Sequence, residues 1–356
     1  MKRAALLLLL FGFASGEIRF PLSHQGRPVF FHPKGIHTWK GKIYVSDRKD
    51  YSIKVFSEKG KFLFQFGGKG EGPGLFKRWF GVFNISPQGL IIQGDYWGGN
   101  RFLNVFNSQG KFLRTITVKF PAPFAVEDLH AGGAGEIILG LSHGFKSKRK
   151  GGIVFIGSHL DYYLMEKDGK LRKIHGDLMY HSFSYSEKGR NYTVPYQIYY
   201  LSAYNPKLHL LALCRNDRTT ILVFNLRTMK AKEIKTGWKE KEVTEALLKE
   251  RIKFWTGASW MDPRGKKLYQ KLRPSNLPHP HLPVMDSLLF TPEGSILAVK
   301  SSPEGKVKLR EFSLDGKLLS EAEEVAYPFS ITSSKVYLVD CTEDLCYVLV
   351  KRRKEP

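Results

Sequence analysis

The hydrophobic positions of this chain fall into short runs that are typical of β-strands. IYVSD (43–47) and SIKVFSEKGKFLFQF (52–66) are rich in Val, Ile, Phe and Tyr and are separated by turn residues. Runs of this kind predict strands, whereas the segment 238–255 shows a helical period. The apolar stripe of that segment consists of Val243, Leu247 or Leu248, Ile252 and Trp255. The pattern predicts an all-β chain with one amphipathic helix, whose stripe we expect to dock on the sheets.

The β-type runs recur as copies of one unit. Residues 33–66 contain Pro-x-Gly, a strand, a loop and a hairpin with Lys59-Gly60 at its turn, and the same order returns at 87–116. Four looser copies follow at 134–174, 205–234, 291–321 and 333–353. Each unit supplies roughly four short strands, except that the last lacks its outermost strand. Four-stranded units that repeat at this spacing are typical of a β-propeller, here with six blades.

The ends of such a ring must meet, because an open ring would expose apolar faces. EIRFPL (17–22) is a strand without a unit of its own, so we predict that it completes the sixth blade outside the strand at 345–353. The glycine-rich stretch GGKGEGPG (67–74) lacks the following helix that a phosphate-binding loop requires, and Lys69 lies among the glycines rather than after them. We interpret this stretch as the connection between the first two blades.

The run formed by P-x-G, IYVSD, IKVF and KGKFLFQFGGKGEGPGLF resembles the NHL repeat and related bacterial six-bladed propellers. The resemblance is specific over 28–116, fair at 283–350 and weak between 120 and 280. It implies an all-β, six-bladed β-propeller with four-stranded blades as a single domain (17–353), and a helical insertion at about 236–283 between blades four and five. Propellers of this kind are usually binding or scaffolding modules and sometimes enzymes.

The first residues of the chain have the features of an export signal. Residues 1–16, MKRAALLLLLFGFASG, combine a basic start, a short apolar run and the small residues Ala14 and Gly16. We expect cleavage near Gly16-Glu17 and a secreted or periplasmic product, because the apolar run is too short to span a bilayer. No cysteine directly follows the cleavage site, so we expect no lipid anchor. The short apolar run likewise predicts no transmembrane anchor.

The chain is strongly basic, with a formal net charge of +23. Such a charge attracts acidic partners, although it can equally reflect an adaptation of the whole surface to its solvent. Export argues against nucleic acid as the partner. We expect a monomer that binds a protein, a peptide or an anionic glycan.

One face of the ring collects the candidate binding residues. We label the four strands of each blade a to d from the axis outward. The d-to-a connections between blades and the b-to-c connections within a blade then emerge on the same face of the ring, here called the upper face. The long connections 140–152, 175–197 and 236–283 are expected on this face. The predicted binding residues are Arg48, Tyr96, Trp97, Lys146, Lys148, Arg149, Lys150, Arg215 and Arg218. Aromatic rings beside cations suit sugars and anionic groups. The sequence therefore favours a binding or scaffold module with no cofactor.

The alternative is a metal-dependent enzyme with a site on the central axis. Similar propellers hydrolyse lactones and esters with an axial calcium ion, or cleave amidated peptides with a metal held by histidines. Calcium requires carboxylate and carbonyl oxygens from several inner strands, and Glu127, Asp128 and Asp286 are the candidates, with Asn84 as a further one. His37, His130 and His143 are the corresponding histidines. No motif surrounds these residues, so the interpretation rests on resemblance.

Three cysteines are present in this chain. Cys341 and Cys346 flank TEDL, which predicts that they face each other across a hairpin. A disulfide forms there only if the pair has suitable geometry, so both states stay open. Cys214 lies in the apolar run LLALC, where we expect it to pack as a small hydrophobic residue.

Overall fold

The structure of the protein is a computed structural model. The described residues are 18–21, 23–24, 27–28, 33–47, 50–76, 80–95, 102–120, 123–133, 135–150, 153–166, 168–187, 190–193, 197–257, 266–267, 269–277, 281–301, 307–324, 327–332, 335–341 and 346–352.

Six sheets of sequential antiparallel strands form the blades of this part of the chain, and a separate two-stranded sheet precedes the first blade. Blade one contains β4 (Pro33–Trp39), β5 (Lys42–Asp47), β6 (Ser52–Ser57) and β7 (Phe62–Gly67). Blade two contains β8 (Phe80–Ile85), β9 (Ile91–Asp95), β10 (Phe102–Phe106) and β11 (Phe112–Thr117). Blade three contains β12 (Phe124–Ala131), β13 (Ile137–Lys150), β14 (Ile153–Met165), β15 (Leu171–Glu187) and β16 (Arg190–Thr193). Blade four contains β17 (Tyr200–Asn205), β18 (Leu210–Arg215), β19 (Thr220–Asn225) and β20 (Lys230–Lys235). Blade five contains β21 (Ser287–Phe290), β22 (Ile296–Ser301), β23 (Val307–Phe312) and β24 (Leu318–Glu324). Blade six contains β25 (Tyr327–Ile331), β26 (Lys335–Cys341), β27 (Cys346–Arg352) and β1 (Ile18–Pro21). The two-stranded sheet consists of β2 (Ser23–His24) and β3 (Arg27–Pro28).

The six blades form a closed ring. Each inner strand contacts the inner strands of the two neighbouring blades, in the cycle β4, β8, β12, β17, β21, β25 and back to β4. The last blade takes its outermost strand from the other end of the chain, because β1 pairs antiparallel with β27, with Ile18 opposite Val350 and Pro21 opposite Tyr347. The all-β, six-bladed β-propeller fold is therefore confirmed.

The core of the ring lies between the blades, since both faces of a blade are buried. Along β5 the side chains alternate between two neighbours, as the two-residue period of a strand requires. Ile43 and Val45 pack with Val348 of the sixth blade, whereas Tyr44 packs with Phe83 of the second blade. Burial of each such side chain stabilises the fold by about 1.5–3 kcal/mol.

The glycine-rich stretch connects β7 to β8, as the sequence analysis predicts. It folds back on itself, because the Phe76 amide donates to the Gly68 carbonyl and the Gly70 amide to the Phe76 carbonyl, at 2.8 and 3.1 Å. The fold-back buries the Phe76 ring completely in the core between the first two blades. Gly67 enters the connection with φ of +89°, which favours glycine.

Blade three differs from the prediction. The segments 140–152 and 175–197 were expected to be loops, but most of their length belongs to β13 and β15 and forms β16. The inner strand β12 begins at Phe124, which pairs with His143, and β13 continues beyond that point opposite β14. We call residues 144–150, 153–159, 178–187 and 190–193 the blade-three arm. Because β12 begins where the chain enters the blade, the arm extends on the upper face.

The insertion between blades four and five contains the predicted helix, α1 (Glu245–Gly257), and a 3-10 turn at Pro274–Asn276. Val243 and Leu248 of the predicted stripe are buried and Ile252 is half-buried, whereas the side chain of Trp255 lies outside the described residues. The insertion leaves and re-enters the ring side by side, since the Leu282 amide donates to the Lys241 carbonyl. No helix in the described part of the chain is long and apolar enough to cross a membrane.

The three cysteines lie in two different environments. Cys341 and Cys346 are the final pair of the β26–β27 ladder, which puts them opposite each other across the hairpin. Their side chains lie outside the described residues, so the bonded and the free state both stay open. Cys214 is buried in the core between blades four and five, and burial raises the pKa of its thiol.

The connection between blades one and two supplies a matched pair of substitutions. A Cβ at Gly67 would lie 2.3 Å from the Phe76 ring, whereas at Gly72 it would make an ordinary contact of 3.5 Å with Leu75. We expect Gly67→Ala to lower the free energy of unfolding by about 2–4 kcal/mol, because a left-handed backbone and a ring clash combine. Gly72→Ala should change it by less than about 0.5 kcal/mol. Urea denaturation measures both, and equal stability of the two variants would contradict this account.

The paired cysteines give a second prediction. If Cys341 and Cys346 are bonded, the unreduced, denatured protein should show one reactive thiol, that of Cys214. Reduction should then lower the free energy of unfolding by about 2 kcal/mol, because the bond closes a short loop. Alkylation followed by mass spectrometry counts the thiols, with the Cys341→Ser, Cys346→Ser double variant as the control that reduction leaves unchanged. Three reactive thiols in freshly purified protein would contradict the prediction.

Candidate functional site

The predicted binding residues of the upper face lie on two blades where the structure describes them. Lys146, Lys148, Arg149 and Lys150 lie on β13 in the blade-three arm, opposite positions 153–157 of β14. The Lys146 side chain is exposed. Arg48, Tyr96 and Trp97 lie outside the described residues. The basic run therefore lies on a paired strand rather than on a loop.

Arg215 and Arg218 lie at the turn between β18 and β19, and their environments differ. The Arg215 guanidinium donates two hydrogen bonds to Asp217, Nε to Oδ1 at 2.6 Å and Nη2 to Oδ2 at 2.9 Å. A bidentate pair of this kind neutralises the cation and fixes its orientation. Arg218 is exposed. Of this pair, Arg218 is the better placed to meet an external anion.

A cluster around Asp161 joins three strands at the base of the blade-three arm. Its Oδ2 atom accepts hydrogen bonds from Lys173 Nζ at 2.8 Å and from the Tyr163 hydroxyl at 2.9 Å, and lies 3.2 Å from His143 Nε2. Its Oδ1 atom accepts the Asp177 amide at 2.9 Å. Burial opposes ionisation of Asp161, but these donors outweigh it and lower its pKa to about 2. The cluster ties β13, β14 and β15 together where the arm leaves the ring.

A cavity of about 630 Å³ lies on the axis of the ring and is lined by the inner strands of all six blades. Its two sides differ in polarity. The polar groups of blades one to four are His37, Ser46, Asn84, Asp128, His130 and Ser202. The lining residues of blades five and six are apolar except for Ser330, whose hydroxyl is hydrogen-bonded to Thr38. They are Leu289, Phe290, Phe329 and Ile331, together with Leu288, whose side chain is buried in the core between blades four and five.

Asp128 is the centre of the polar side. Its Oδ2 atom accepts hydrogen bonds from the hydroxyls of Ser202 and, at 3.1 Å, of Tyr162, and its Oδ1 atom accepts the Leu129 amide at 2.9 Å. His130 Nε2 lies 3.3 Å from Oδ2. Burial opposes ionisation, but the attraction of His130 and the hydroxyl donors outweigh it and lower the pKa of Asp128 to about 2. The carboxylate is therefore ionised at neutral pH.

Asp128, His130 and Ser202 combine residue types that also form catalytic triads, but their geometry is different. In a triad the imidazole uses one nitrogen for the serine and the other for the carboxylate. Here His130 Nε2 lies 2.7 Å from Ser202 Oγ and also nearest to Asp128, and the serine hydroxyl donates directly to Asp128. The serine proton is thus held by the carboxylate, and the cluster links blades three and four.

His37 lies on the neighbouring side of the cavity. Its ring makes an edge contact with the Phe83 ring at 4.7 Å between centroids and is hydrogen-bonded to the Phe83 backbone. Burial, with a smaller effect from His130, lowers the pKa of His37 to about 4. His37 is therefore neutral at physiological pH.

The predicted calcium ligands are not brought together. A register shift in β12 between Val126 and Asp128 marks a β-bulge at Glu127. Asp128 lines the cavity, whereas Glu127 accepts a hydrogen bond from the Ser142 hydroxyl and, like Asp286, is not among the lining residues. His143 belongs to the Asp161 cluster rather than to the axis. Within the described ranges, no group of three or more His, Cys, Asp or Glu side chains is arranged to hold a metal ion.

Ser202 and Tyr162 are the residues of this cluster that the sequence analysis misses. Ser202 lies at a half-buried position of an inner strand, between the buried apolar residues Leu201 and Ala203. A polar residue at such a position indicates a side chain directed at the axis, so the sequence could have pointed to Ser202. Tyr162 reaches Asp128 from β14, across 34 residues of sequence, and nothing local indicates that contact.

Comparison with known proteins supports the fold. A family model described as a 6-bladed beta-propeller, DUF5128, matches residues 21–81. The structure is similar to a Bacteroides fragilis protein described as exported (12% identity, 95% of each chain, TM-score 0.52) and to a duf4221 family member from Bacteroides vulgatus (12% identity, 96% of this chain and 98% of that chain, TM-score 0.50). It is also similar to a gluconolactonase from Xanthomonas campestris (11% identity, 99% and 93%, TM-score 0.51). No curated protein matches the sequence. Identities this low establish a shared fold and leave the activity open.

The shifted pKa values of His37 and Asp128 predict how stability depends on pH. His37 has a folded pKa of about 4, against about 6.5 when unfolded, so the unfolded state binds the proton first as pH falls. The free energy of unfolding should therefore fall by about 2–3 kcal/mol between pH 6.5 and 4 through this group. Asp128 contributes stability that is present above pH 3.8 and is lost as pH falls towards 2.

Denaturation at a series of pH values tests the histidine part of this prediction. His37→Gln should flatten the decline between pH 6.5 and 4, because glutamine does not titrate. His281→Gln, in the insertion, is the matched control and should keep the slope of the unsubstituted protein. The same slope in both variants would show that His37 does not cause the decline.

Proposed function

We propose that this protein is an exported binding or scaffold propeller that captures an acidic protein, peptide or anionic glycan with the upper face of its ring. The observation that carries the proposal is the blade-three arm, which extends beyond the ring and has four basic residues on β13. In propellers the strands of each blade pack against the neighbouring blades, so partners bind at the extensions on one face of the ring.

The charge of the arm favours an acidic partner. The half of the arm sequence from 144 to 159 contains four Lys or Arg residues and no Asp or Glu. The exposed Phe145 and Met179 side chains add apolar area to the same arm. Cations beside exposed apolar groups provide both charge-assisted hydrogen bonds and contact area.

The base of the arm supports this function, because a rigid element loses little conformational entropy on binding. The Asp161 cluster joins β13, β14 and β15 below the basic run, and the strands above it are paired through to Lys150. Charges held on paired strands are pre-organised, which lowers the cost of association. Arg48, Tyr96, Trp97 and Arg218 would extend the same surface over blades one, two and four.

Export of the chain is part of the proposal. Residues 1–16 have the composition of a signal peptide, and the similar Bacteroides fragilis protein is described as exported. The activity of the similar gluconolactonase is not carried over, since Glu127, Asp128 and Asp286 do not form a joint site here. The proposal therefore includes no catalytic step.

Neutralising the basic run tests the proposal. We expect the variant with Gln at Lys146, Lys148, Arg149 and Lys150 to bind immobilised heparin and poly-glutamate at least about tenfold more weakly than the unsubstituted protein, because each lost cation removes a charge-assisted contact. The difference should shrink as salt is raised. Surface plasmon resonance at two ionic strengths measures both effects.

The matched control is Gln at Lys230, Lys232, Lys235 and Lys239, which are exposed around the outermost strand of blade four. This variant carries the same net charge as the arm variant. If both variants lose the same affinity, attraction comes from the total charge and the proposal is wrong. Unchanged binding together with new aggregation of the arm variant would instead show that the lysines protect an exposed strand edge.

A further inference from the structure

The axial cavity has the opposite charge character to the rest of the molecule. The chain contains 56 Lys and Arg residues, yet among the lining residues that the structure describes there is neither Lys nor Arg. The one carboxylate of this described lining is Asp128, whose side chain keeps 26% of its accessibility. A volume of about 630 Å³ is within the range of small-molecule sites.

We propose that this cavity binds a small organic cation, an ammonium group on an apolar body, with its charge against Asp128 and its apolar part against blades five and six. This site is separate from the blade-three arm and does not depend on the function proposed for it. A cation is favoured over an anion because histidine is the only basic residue type in the part of the lining that the structure describes.

The carboxylate is built as a fixed acceptor. Ser202, Tyr162 and the Leu129 amide hold Asp128 with neutral hydrogen bonds, which orient it without cancelling its charge. Its Oδ1 atom accepts one hydrogen bond within the described residues, which leaves a lone pair for a ligand. His130 contacts Oδ2, so the Oδ1 side of the carboxylate is the one that can meet a ligand. An ionised, partly accessible carboxylate with an open lone pair favours a cationic ligand.

Aromatic rings complete the site. Phe290 and Phe329 line the cavity from blades five and six, whereas the Phe83 ring of blade two is buried in the core and packs against His37. The face of an aromatic ring attracts ammonium groups, and the attraction reaches about 2 kcal/mol when water is excluded. His37 does not oppose the ligand, because its low pKa keeps it neutral. A carboxylate facing aromatic and aliphatic side chains matches an amine with an apolar body.

The test uses choline and acetylcholine, each paired with the uncharged isostere in which carbon replaces the ammonium nitrogen. Titration calorimetry with the purified full chain should show binding of at least one cation, and its isostere should bind at least about tenfold more weakly. Equal affinity for a cation and its isostere would overturn the proposal. So would the absence of binding by any of these cations at millimolar concentration.

Substitutions locate the site. Asp128→Asn keeps the shape of the side chain and should lower cation affinity at least about 30-fold, whereas Asp168→Asn, in the exposed turn between β14 and β15, removes the same charge and should not change it. Phe329→Leu should lower affinity about tenfold through the lost ring. If Asp128→Asn fails to fold, the Phe329→Leu result decides. Unchanged affinity in Phe329→Leu, or in a folded Asp128→Asn variant, would place the cation elsewhere and overturn the proposal.

Discussion

The constraint on which this structure depends is that every blade has two apolar faces and neither can face water. The side chains of Ile43 and Val45 of β5 are buried against the sixth blade, and that of Tyr44 between them is buried against the second. Such a requirement is met for all blades at once only when the ring is closed. The pairing of β1 with β27 follows from it, because the last blade would otherwise lack its outer strand. Additions to the chain are then confined to the ends of strands, where the blade-three arm and the helical insertion lie.

The fold could be predicted from the sequence because its signal is local and repeated. Strands such as IYVSD and turns such as Lys59-Gly60 indicate a unit without knowledge of its neighbours, and the number of units then determines the ring. The arm could not be predicted in the same way. GFKSKRK has no apolar alternation and reads as a loop, yet it is a strand because its partner, IVFIGSH on β14, supplies the β-forming residues. Pairing with a strong neighbour overrides the low β-propensity of a basic run.

The axial site shows a different limit of sequence reasoning. Asp128 and His130 are found from their positions on an inner strand, but Ser202, which contacts both, comes from another blade 72 residues after His130. The bulge at Glu127 decides which of two adjacent acids reaches the cavity, and nothing in VEDLH indicates a bulge. The predicted calcium ligands therefore separate, although each candidate was assigned to a suitable strand.

The two candidate sites differ because the ring separates its basic residues from its acidic axial carboxylate. Basic residues lie on the arm and on outer strands such as β20, whereas the axial lining, as far as the structure describes it, contains no Lys or Arg and retains one ionised carboxylate. Burying a lysine among Phe290, Phe329 and Leu288 would cost several kcal/mol, so the inner strands can carry charge only where hydrogen bonds support it. Asp128 has that support from Ser202 and Tyr162. A basic exterior and an acidic axis are thus separate consequences of solvation, and they explain why the ligands proposed for the arm and for the cavity have opposite charges.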